Sequence, residues 1–287
     1  MESWANSAWQ FAPYIVENLL QRALEKSTHV HNKPSGQTFA VAIKAWMKSN
    51  KEEAPHRAEL LLQHLLFLYE VQEDSWYRPR EVHLRYVITN WINRCKTGEL
   101  YDGMGGKNLY PAEHCEKIIY WIRNRTWFQP MAEMVYGMAI RAWAIQKMND
   151  NENDGGTIFD MENAKAKKKV SKQRTLPHPN PVVQALQLLN SFAELKISTG
   201  DVLPPYPCNW VLETCCRVQP TIERKVEAYE TAIRTFQRCK HNARTYELMV
   251  QVIRIQVENL DDTHRSLIEE LFRNCCAEGL VDRKSVV

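Results

Sequence analysis

Residues 38–46 read TFAVAIKAW, and this stretch decides the fold. Its apolar residues Phe39, Ala42, Ile43 and Trp46 stand at offsets 0, 3, 4 and 7, which places them on one stripe of an α-helix. The same offsets recur four more times, at Leu84, Val87, Ile88 and Trp91, at Tyr136, Ala139, Ile140 and Trp143, at Cys208, Val211, Leu212 and Cys215, and at Tyr246, Met249, Val250 and Ile253. We refer to these five predicted segments as the first helices.

Each first helix is followed by a predicted second helix with its own recurring stripe. That stripe stands at Ala58, Leu61, Leu62 and Leu65, at Cys115, Ile118, Ile119 and Ile122, at Ala185, Leu188, Leu189 and Phe192, and at Ile268, Leu271, Phe272 and Cys275. The second helix of the fourth unit, around Val226, Tyr229, Ile233 and Phe236, is predicted to be helical without that spacing. Residues 14–26 are predicted as a leading second helix with a shortened or degenerate partner.

Composition agrees with a helical, soluble chain. The 287 residues are 44% apolar and 25% charged, and they include only 10 Gly. No apolar run approaches the roughly 18 to 20 residues that a membrane span needs. The eight cysteines form no secreted-domain framework, which favours reduced thiols inside the cell. A net charge of +3 and a pI near 8.3 neither demand nor exclude nucleic acid as a partner.

A single helical hairpin cannot bury both of its faces, so recurring hairpins are expected to stack and share one core. We therefore predict an all-α fold, an α-solenoid of about five helix-turn-helix repeats. Residues 1–34 form a leading partial repeat, 35–148 hold repeats one to three up to an insertion, and 181–284 complete repeat three and add repeats four and five. The inserted segment 149–180 has little to bury and is predicted to be a disordered basic linker, while 285–287 form a tail. Its basic run, 165–174, is open to three interpretations: a solvated linker, a non-specific RNA tether or a nuclear-import-like patch.

The punctuation of the repeats resembles the pentatricopeptide repeat. Segments 34–39 (PSGQTF) and 79–84 (PREVHL) each place Pro five residues before the opening apolar position, and 242–246 (NARTY) repeats the Thr-aromatic opening. The last unit closes with Leu271-Phe272 followed by 278–280 (EGL). The resemblance covers roughly residues 35–146 and 181–284. It implies a right-handed superhelix that binds single-stranded RNA on the face of its first helices, one base per repeat, and acts in RNA processing, stability or translation in a mitochondrion or plastid.

The resemblance also implies which residues would read bases, namely the residue after the opening aromatic and the last residue of the repeat. These positions pair Ala40 with Arg80, Arg85 with Ala132, Gly137 with Pro204, Asn209 with Asn242, and Glu247 with Arg283. Only Asn209 and Asn242 resemble a base-reading pair of the family, because two amides offer both donors and acceptors, and such a pair suggests a pyrimidine.

Basic residues in or just after the first helices are candidates for RNA phosphate contacts: Lys44, Lys48, Arg94, Arg141, Lys147, Arg217 and Arg254. The alternative interpretation is that solvent-facing helix positions are commonly charged.

The sequence contains no complete enzymatic motif among those considered below. Segment 102–107 (DGMGGK) lacks the first Gly and the Ser or Thr after Lys of a phosphate loop. No C-x-x-C pair accompanies His114-Cys115 or Cys239-Lys240-His241, which argues against a structural zinc site. Asp261-Asp262 has no second acidic segment with which to hold two metal ions. This pair is expected to cap a helix. We predict no enzyme, no cofactor, no metal, no membrane insertion and no small-molecule substrate. Two alternatives to RNA binding stay open: a protein-interaction scaffold using the same groove, or the repeat arm of a larger protein.

Overall fold

The computed structural model describes residues 1–7, 9–26, 33–72, 74–102, 108–148, 179–196, 202–257 and 261–280. Within these ranges the chain forms twelve α-helices, so the prediction of an all-α fold is confirmed. In order they are α1 (Glu2–Ala5), α2 (Ala12–Glu25), α3 (Gly36–Met47), α4 (Ala54–Gln72), α5 (Glu81–Arg94), α6 (Pro111–Ile122), α7 (Ala132–Ile145), α8 (Pro181–Lys196), α9 (Pro205–Cys215), α10 (Ile222–Arg238), α11 (Ala243–Gln256) and α12 (Asp262–Ala277). None of these helices is long and apolar enough to cross a membrane.

Short elements connect the helices. Ser75–Tyr77 and Thr126–Met131 are 3-10 turns before α5 and α7. A two-residue antiparallel ribbon between α5 and α6 pairs β1 (Tyr101–Asp102) with β2 (Asn108–Leu109). Residues 103–107, between the two strands of this ribbon, lie outside the described ranges. Residues 149–178 of the predicted linker also lie outside them.

Consecutive first helices contact one another in series. Helix α3 packs on α5, α5 on α7, α7 on α9 and α9 on α11, while α4, α6, α8, α10 and α12 pack against the flanks of this row. The stripes that define the first helices form the core: the four stripe residues of α3, α5 and α9 are all fully buried, as is most of the stripe in α7 and α11. Burying a large apolar side chain contributes about 1.5–3 kcal/mol, so these stripes hold the row together.

A hydrogen bond from a buried tryptophan repeats through the first half of the chain. The indole Nε1 of the last stripe residue donates to a glutamate on the preceding helix, from Trp46 to Glu17 over 2.8 Å, from Trp91 to Glu59 over 2.9 Å and from Trp143 to Glu116 over 2.5 Å. Each glutamate directly follows the first stripe residue of its helix. In the next unit the same two positions are Cys215 and Leu186, so donor and acceptor disappear together, as expected when a buried indole N–H needs a partner.

The helix starts explain the Thr-aromatic opening. Oγ1 of Thr38 accepts the N–H of Ser35 at 3.1 Å, and Oγ1 of Thr245 accepts the N–H of Asn242 at 3.1 Å. In α5 the Nδ1 of His83 takes this role for Arg80 at 2.9 Å. The recurring polar residue before the first stripe position is therefore the N3 half of a capping box.

The prediction that α10 lacks the common spacing is wrong. Its buried residues are Ala228, Thr231, Ala232 and Thr235, at offsets 0, 3, 4 and 7. Two of them are threonines, and the hydroxyl of Thr235 donates to the Thr231 carbonyl at 2.8 Å, so the polar atom is satisfied inside the helix. Small and polar residues thus occupy a stripe that apolarity alone does not reveal.

The two ends differ from the interior. The four-residue α1 contacts both α2 and α3, which fits a shortened partner for the leading helix. At the other end, α12 buries Leu271 and Cys275 but leaves Phe272 44% exposed. Phe272 occupies the stripe position that is buried as Leu62, Ile119 and Leu189 in the other second helices.

Candidate nucleic-acid interface

Asn209 and Asn242, the predicted base-reading pair, lie next to each other. The Nδ2 of Asn209 donates to Oδ1 of Asn242 at 3.3 Å, and both residues are half-buried. Asn209 lies in the first turns of α9 and Asn242 is the N-cap of α11, so both stand where a first helix begins.

A short backbone bridge brings the two helix starts together. The N–H of Leu203, before α9, donates to the Arg238 carbonyl at 3.1 Å, and the N–H of Lys240 donates to the Leu203 carbonyl at 2.7 Å. The prolines at 204 and 205 restrict the chain between this bridge and α9. The residues before α9 are therefore hydrogen-bonded to residues 238–240, which lead into Asn242.

Thr245 fixes the orientation of both amides. Its backbone N–H donates to Oδ1 of Asn242 at 3.0 Å, and its hydroxyl donates to Oδ1 of Asn209 at 2.8 Å. Because both carboxamide oxygens face Thr245, the Nδ2 hydrogens of Asn242 and one Nδ2 hydrogen of Asn209 have no hydrogen-bond partner within the described ranges. The pair therefore offers donors that suit the carbonyl oxygens of a base edge.

Three other base-reading candidates have no side chain to offer a ligand. Ala40 and Ala132 are each only 2% exposed. Gly137 is buried against Tyr206, whose ring would lie 2.3 Å from a Cβ added at that position. These positions serve packing between helices.

The charged base-reading candidates Arg80, Arg85 and Glu247 are exposed. Arg283 lies outside the described residues. Arg80 precedes α5, and Arg85 lies 3.9 Å from Glu81 on the same helix. The carboxylate of Glu247 lies 2.8 Å from Arg244, which also holds Glu213 at 2.7 Å. The negative charge of Glu247 is thus countered by a neighbouring guanidinium.

The phosphate candidates divide into two groups. Arg94 and Arg217 donate to backbone carbonyls of the preceding unit, at Lys51 over 2.5 Å and at Trp143 over 3.3 Å, so their guanidinium groups help to join units. The others are exposed or half-buried, and no carboxylate of the described ranges lies within 4.0 Å of them: Lys44, Lys48, Arg141, Lys147 and Arg254. Arg141 stacks its guanidinium over Trp210 at 5.0 Å, next to Asn209 in sequence.

Two equivalent glutamates of the core differ in ionisation. Burial raises the pKa of Glu116 to about 7, with a further increase from Glu113 and a partial decrease from the Trp143 hydrogen bond. Burial also acts to raise the pKa of Glu59, but contact with His114, with the ammonium of Lys117 at 3.5 Å and with the Trp91 indole lowers it overall. Glu59 therefore has a positively charged partner, Lys117, whereas among the described residues Glu116 is held only by the Trp143 indole.

Within the described part of the chain, the cysteines and histidines form no metal cluster. All eight cysteines are free thiols, and burial raises the pKa of Cys95 to about 12. Among the described residues no group of three His, Cys, Asp or Glu side chains is placed to hold a metal ion. Nε2 of His241 contacts the Phe236 carbonyl at 2.7 Å and its ring stacks on Phe236 at 4.0 Å, which is a packing role.

Sequence inspection missed an aromatic cluster at the start of the chain, formed by Trp4, Trp9 and Phe11. All three rings are exposed, and the Trp9 ring contacts the other two. The available signal was three large aromatics within eleven residues, without the helical spacing that marks a core stripe.

No family model, curated protein or solved structure matches this chain. The function is therefore inferred from the residues and geometry described above.

Proposed function

We propose that the chain is an α-solenoid of about five helical hairpins that binds single-stranded RNA across the starts of its first helices. The observation that carries the proposal is the Asn209–Asn242 pair, whose carboxamide oxygens both face Thr245 and whose remaining N–H groups have no partner in the described ranges. Such a pair recognises a base edge by hydrogen bonds, and the resemblance to pentatricopeptide repeats suggests a pyrimidine. The chain acts by covering or remodelling a transcript.

Two features support a contribution from the RNA backbone and from stacking. The ammonium groups of Lys44, Lys48 and Lys147 and the guanidinium of Arg254 have no carboxylate nearby in the described part of the chain, so they are available to phosphates. The Arg141 guanidinium, held over Trp210, lies on the helix that packs against α9. Each stacked base contributes about 1–3 kcal/mol, so a few engaged bases give measurable affinity with modest sequence preference. By the same resemblance we propose an organellar site of action, a mitochondrion or plastid.

The test is selection from a random single-stranded RNA pool at low and at moderate salt. The variant to compare is Asn209→Ala combined with Asn242→Ser. Serine retains an N-cap oxygen for α11 but lacks the amide donors, and Thr245 Oγ1 still has an acceptor in residue 242. We expect salt-sensitive binding with enrichment of a pyrimidine at one position, and loss of that enrichment in the variant.

A matched control is Asn18→Ala, which removes an exposed amide on α2, far from the pair in sequence. It should leave the selected sequence unchanged. If the wild type binds no RNA at low salt, the proposal is refuted. If the variant selects the same sequences as the wild type, the Asn pair does not read bases.

A second candidate function is favoured by the groove between α11 and α12. This groove of about 600 Å³ is lined mainly by apolar atoms, including Val250, Leu271 and Phe272. In the interior units the equivalent positions are covered by the next hairpin, so the groove suits the apolar stripe of a partner helix. A scaffold of this kind would bind a helical peptide with little dependence on salt, and Phe272→Ser would abolish that binding while leaving RNA affinity intact.

A further inference from the structure

The N-terminal aromatic cluster is unusually exposed for its size. Trp4, Trp9 and Phe11 are 40%, 50% and 46% exposed. The ring centroids of Trp4 and Trp9 lie 5.5 Å apart, and those of Trp9 and Phe11 lie 5.4 Å apart. Solitary exposed aromatics are ordinary, but three in contact form a continuous apolar surface that commonly marks a binding site.

A groove of about 350 Å³ runs beside these rings, and its charge has one sign. Its charged side chains are Lys48 and Lys51, and its other polar residues include Asn50 and Gln10. Among the described residues, no carboxylate lines it. The Lys51 ammonium lies 5.7 Å from the centre of the Phe11 ring. The Lys48 ammonium donates to Oδ1 of Asn6 at 2.8 Å, a neutral partner that leaves its charge uncompensated. Aromatic faces beside cations without a carboxylate partner suit a ligand with a planar ring and a negative charge.

The fold holds this groove in place from two sides. The buried Ala5 anchors the first segment, because α1 packs on both α2 and α3. The lysine-bearing loop after α3 is held by Arg94, which donates to the Lys51 carbonyl at 2.5 Å. The N–H of Lys51 donates to Oγ of Ser49 at 3.1 Å. Arg94 thus acts on this site as a positioning residue, through the loop that it fixes.

We propose that this groove is a stacking site for a base of single-stranded RNA, with Trp9 as the stacking surface and Lys48 and Lys51 as the phosphate contacts. The inference rests on the proposed RNA-binding function and extends it beyond the Asn209–Asn242 pair. The charge of the groove favours a polyanion, and the faces of the rings accept any base. The site therefore adds affinity without sequence preference.

The experiment measures the affinity of the full chain for two labelled probes, a short oligouridine and an abasic ribose-phosphate strand of the same length. Trp9→Ala is compared with Trp76→Ala, a matched control because Trp76 is 54% exposed on the turn before α5. We expect Trp9→Ala to weaken oligouridine binding about 5- to 20-fold and to leave abasic binding unchanged. Trp9→Phe, which keeps a ring face, should retain most of the affinity.

The lysines are tested by salt dependence. Lys48→Gln combined with Lys51→Gln should reduce the slope of log affinity against log salt for both probes by roughly 1.4, the amount expected for two lost phosphate contacts on a single strand. Thermal melts of each variant, compared with Trp76→Ala, establish that the fold is intact.

The outcomes separate the two proposals. If Trp9→Ala binds oligouridine as Trp76→Ala does, while the Asn209→Ala and Asn242→Ser variant is weakened, the stacking site is wrong and the RNA function stands. If the wild type binds neither probe at low salt, both proposals fail. If Trp9→Ala detaches the chain from phosphatidylserine vesicles but leaves oligouridine affinity unchanged, the cluster faces a membrane and the inference is overturned.

Discussion

Replacing Glu116 by Gln tests whether burial raises the pKa of the carboxyl group that accepts the Trp143 hydrogen bond. The side-chain oxygen of Gln can still accept the Trp143 indole hydrogen bond, which spans 2.5 Å in the native chain, but Gln does not ionise. We expect Glu116→Gln to leave stability nearly unchanged near pH 4 and to increase it near pH 8.

The magnitude follows from the pKa. Burial raises the pKa of Glu116 from 4.5 to about 7. The folded chain therefore retains this proton at a pH where the unfolded chain has released it, so its stabilising contribution is complete below about pH 4.5 and is lost as the pH rises towards 7. At about 1.4 kcal/mol per pKa unit, the full loss is about 3.5 kcal/mol, and this is the upper bound on what the variant recovers at pH 8.

Denaturant unfolding followed by far-UV circular dichroism at both pH values measures this difference. Glu59→Gln is the matched control, because Glu59 occupies the equivalent position and forms an ion pair with Lys117 at 3.5 Å. The pKa of Glu59 is lowered, so its contribution is present at pH 8, and this variant should be destabilised there. If Glu116→Gln is destabilised at pH 8, or if its effect is the same at both pH values, the reasoning is refuted.

Three further predictions concern packing, capping and thiol reactivity. Gly137→Ala should destabilise the chain by about 1–3 kcal/mol, because the new methyl group meets the Tyr206 ring, and Tyr206→Ala in the same chain should recover most of the loss in denaturant unfolding. Asn242→Ala should cost about 1 kcal/mol through loss of the α11 cap, whereas Asn242→Ser should cost little; equal losses would contradict the capping role. Cys95, buried and with its pKa raised to about 12, should react with a thiol reagent at pH 8 only as fast as the chain unfolds, and rapid labelling of the native chain, located by mass spectrometry, would disprove this.

The apolar period predicted much of the fold because the pattern is local. Phe39, Ala42, Ile43 and Trp46 face one side of a helix whatever they pack against, and all four are fully buried. Their recurrence in four other segments indicated that similar helices pack on similar neighbours, which agrees with the series of contacts from α3 to α11. The apolar period does not predict the stripe of α10, since the buried Thr231 and Thr235 are polar and so escape an apolarity count. The hydroxyl of Thr235 donates to the Thr231 carbonyl within the helix.

Part of the candidate site was also visible in the sequence. The resemblance to the pentatricopeptide repeat pairs Asn209 with Asn242, and the two amides are in contact. What their spacing of 33 residues did not reveal is the part played by Thr245, which turns both oxygens inward and leaves the N–H groups available. Orientation depends on three side chains from two helices, and a linear pattern does not encode it.

The sequence by itself determined most of the helices, most of the residues that they bury and the repetition of the unit, because all three follow from side-chain spacing along one chain. Only the tertiary structure decided the fate of individual polar groups. Glu59 and Glu116 occupy equivalent positions, yet one meets Lys117 and the other meets only an indole and a second carboxylate, and their pKa shifts have opposite sign. Arg94 donates to a backbone carbonyl of the preceding unit, whereas Lys48 donates to the side-chain amide of Asn6, 42 residues before it in the chain. The physical reason is that an ionisable or hydrogen-bonding group responds to whatever lies within a few ångströms, and those neighbours come from distant parts of the chain.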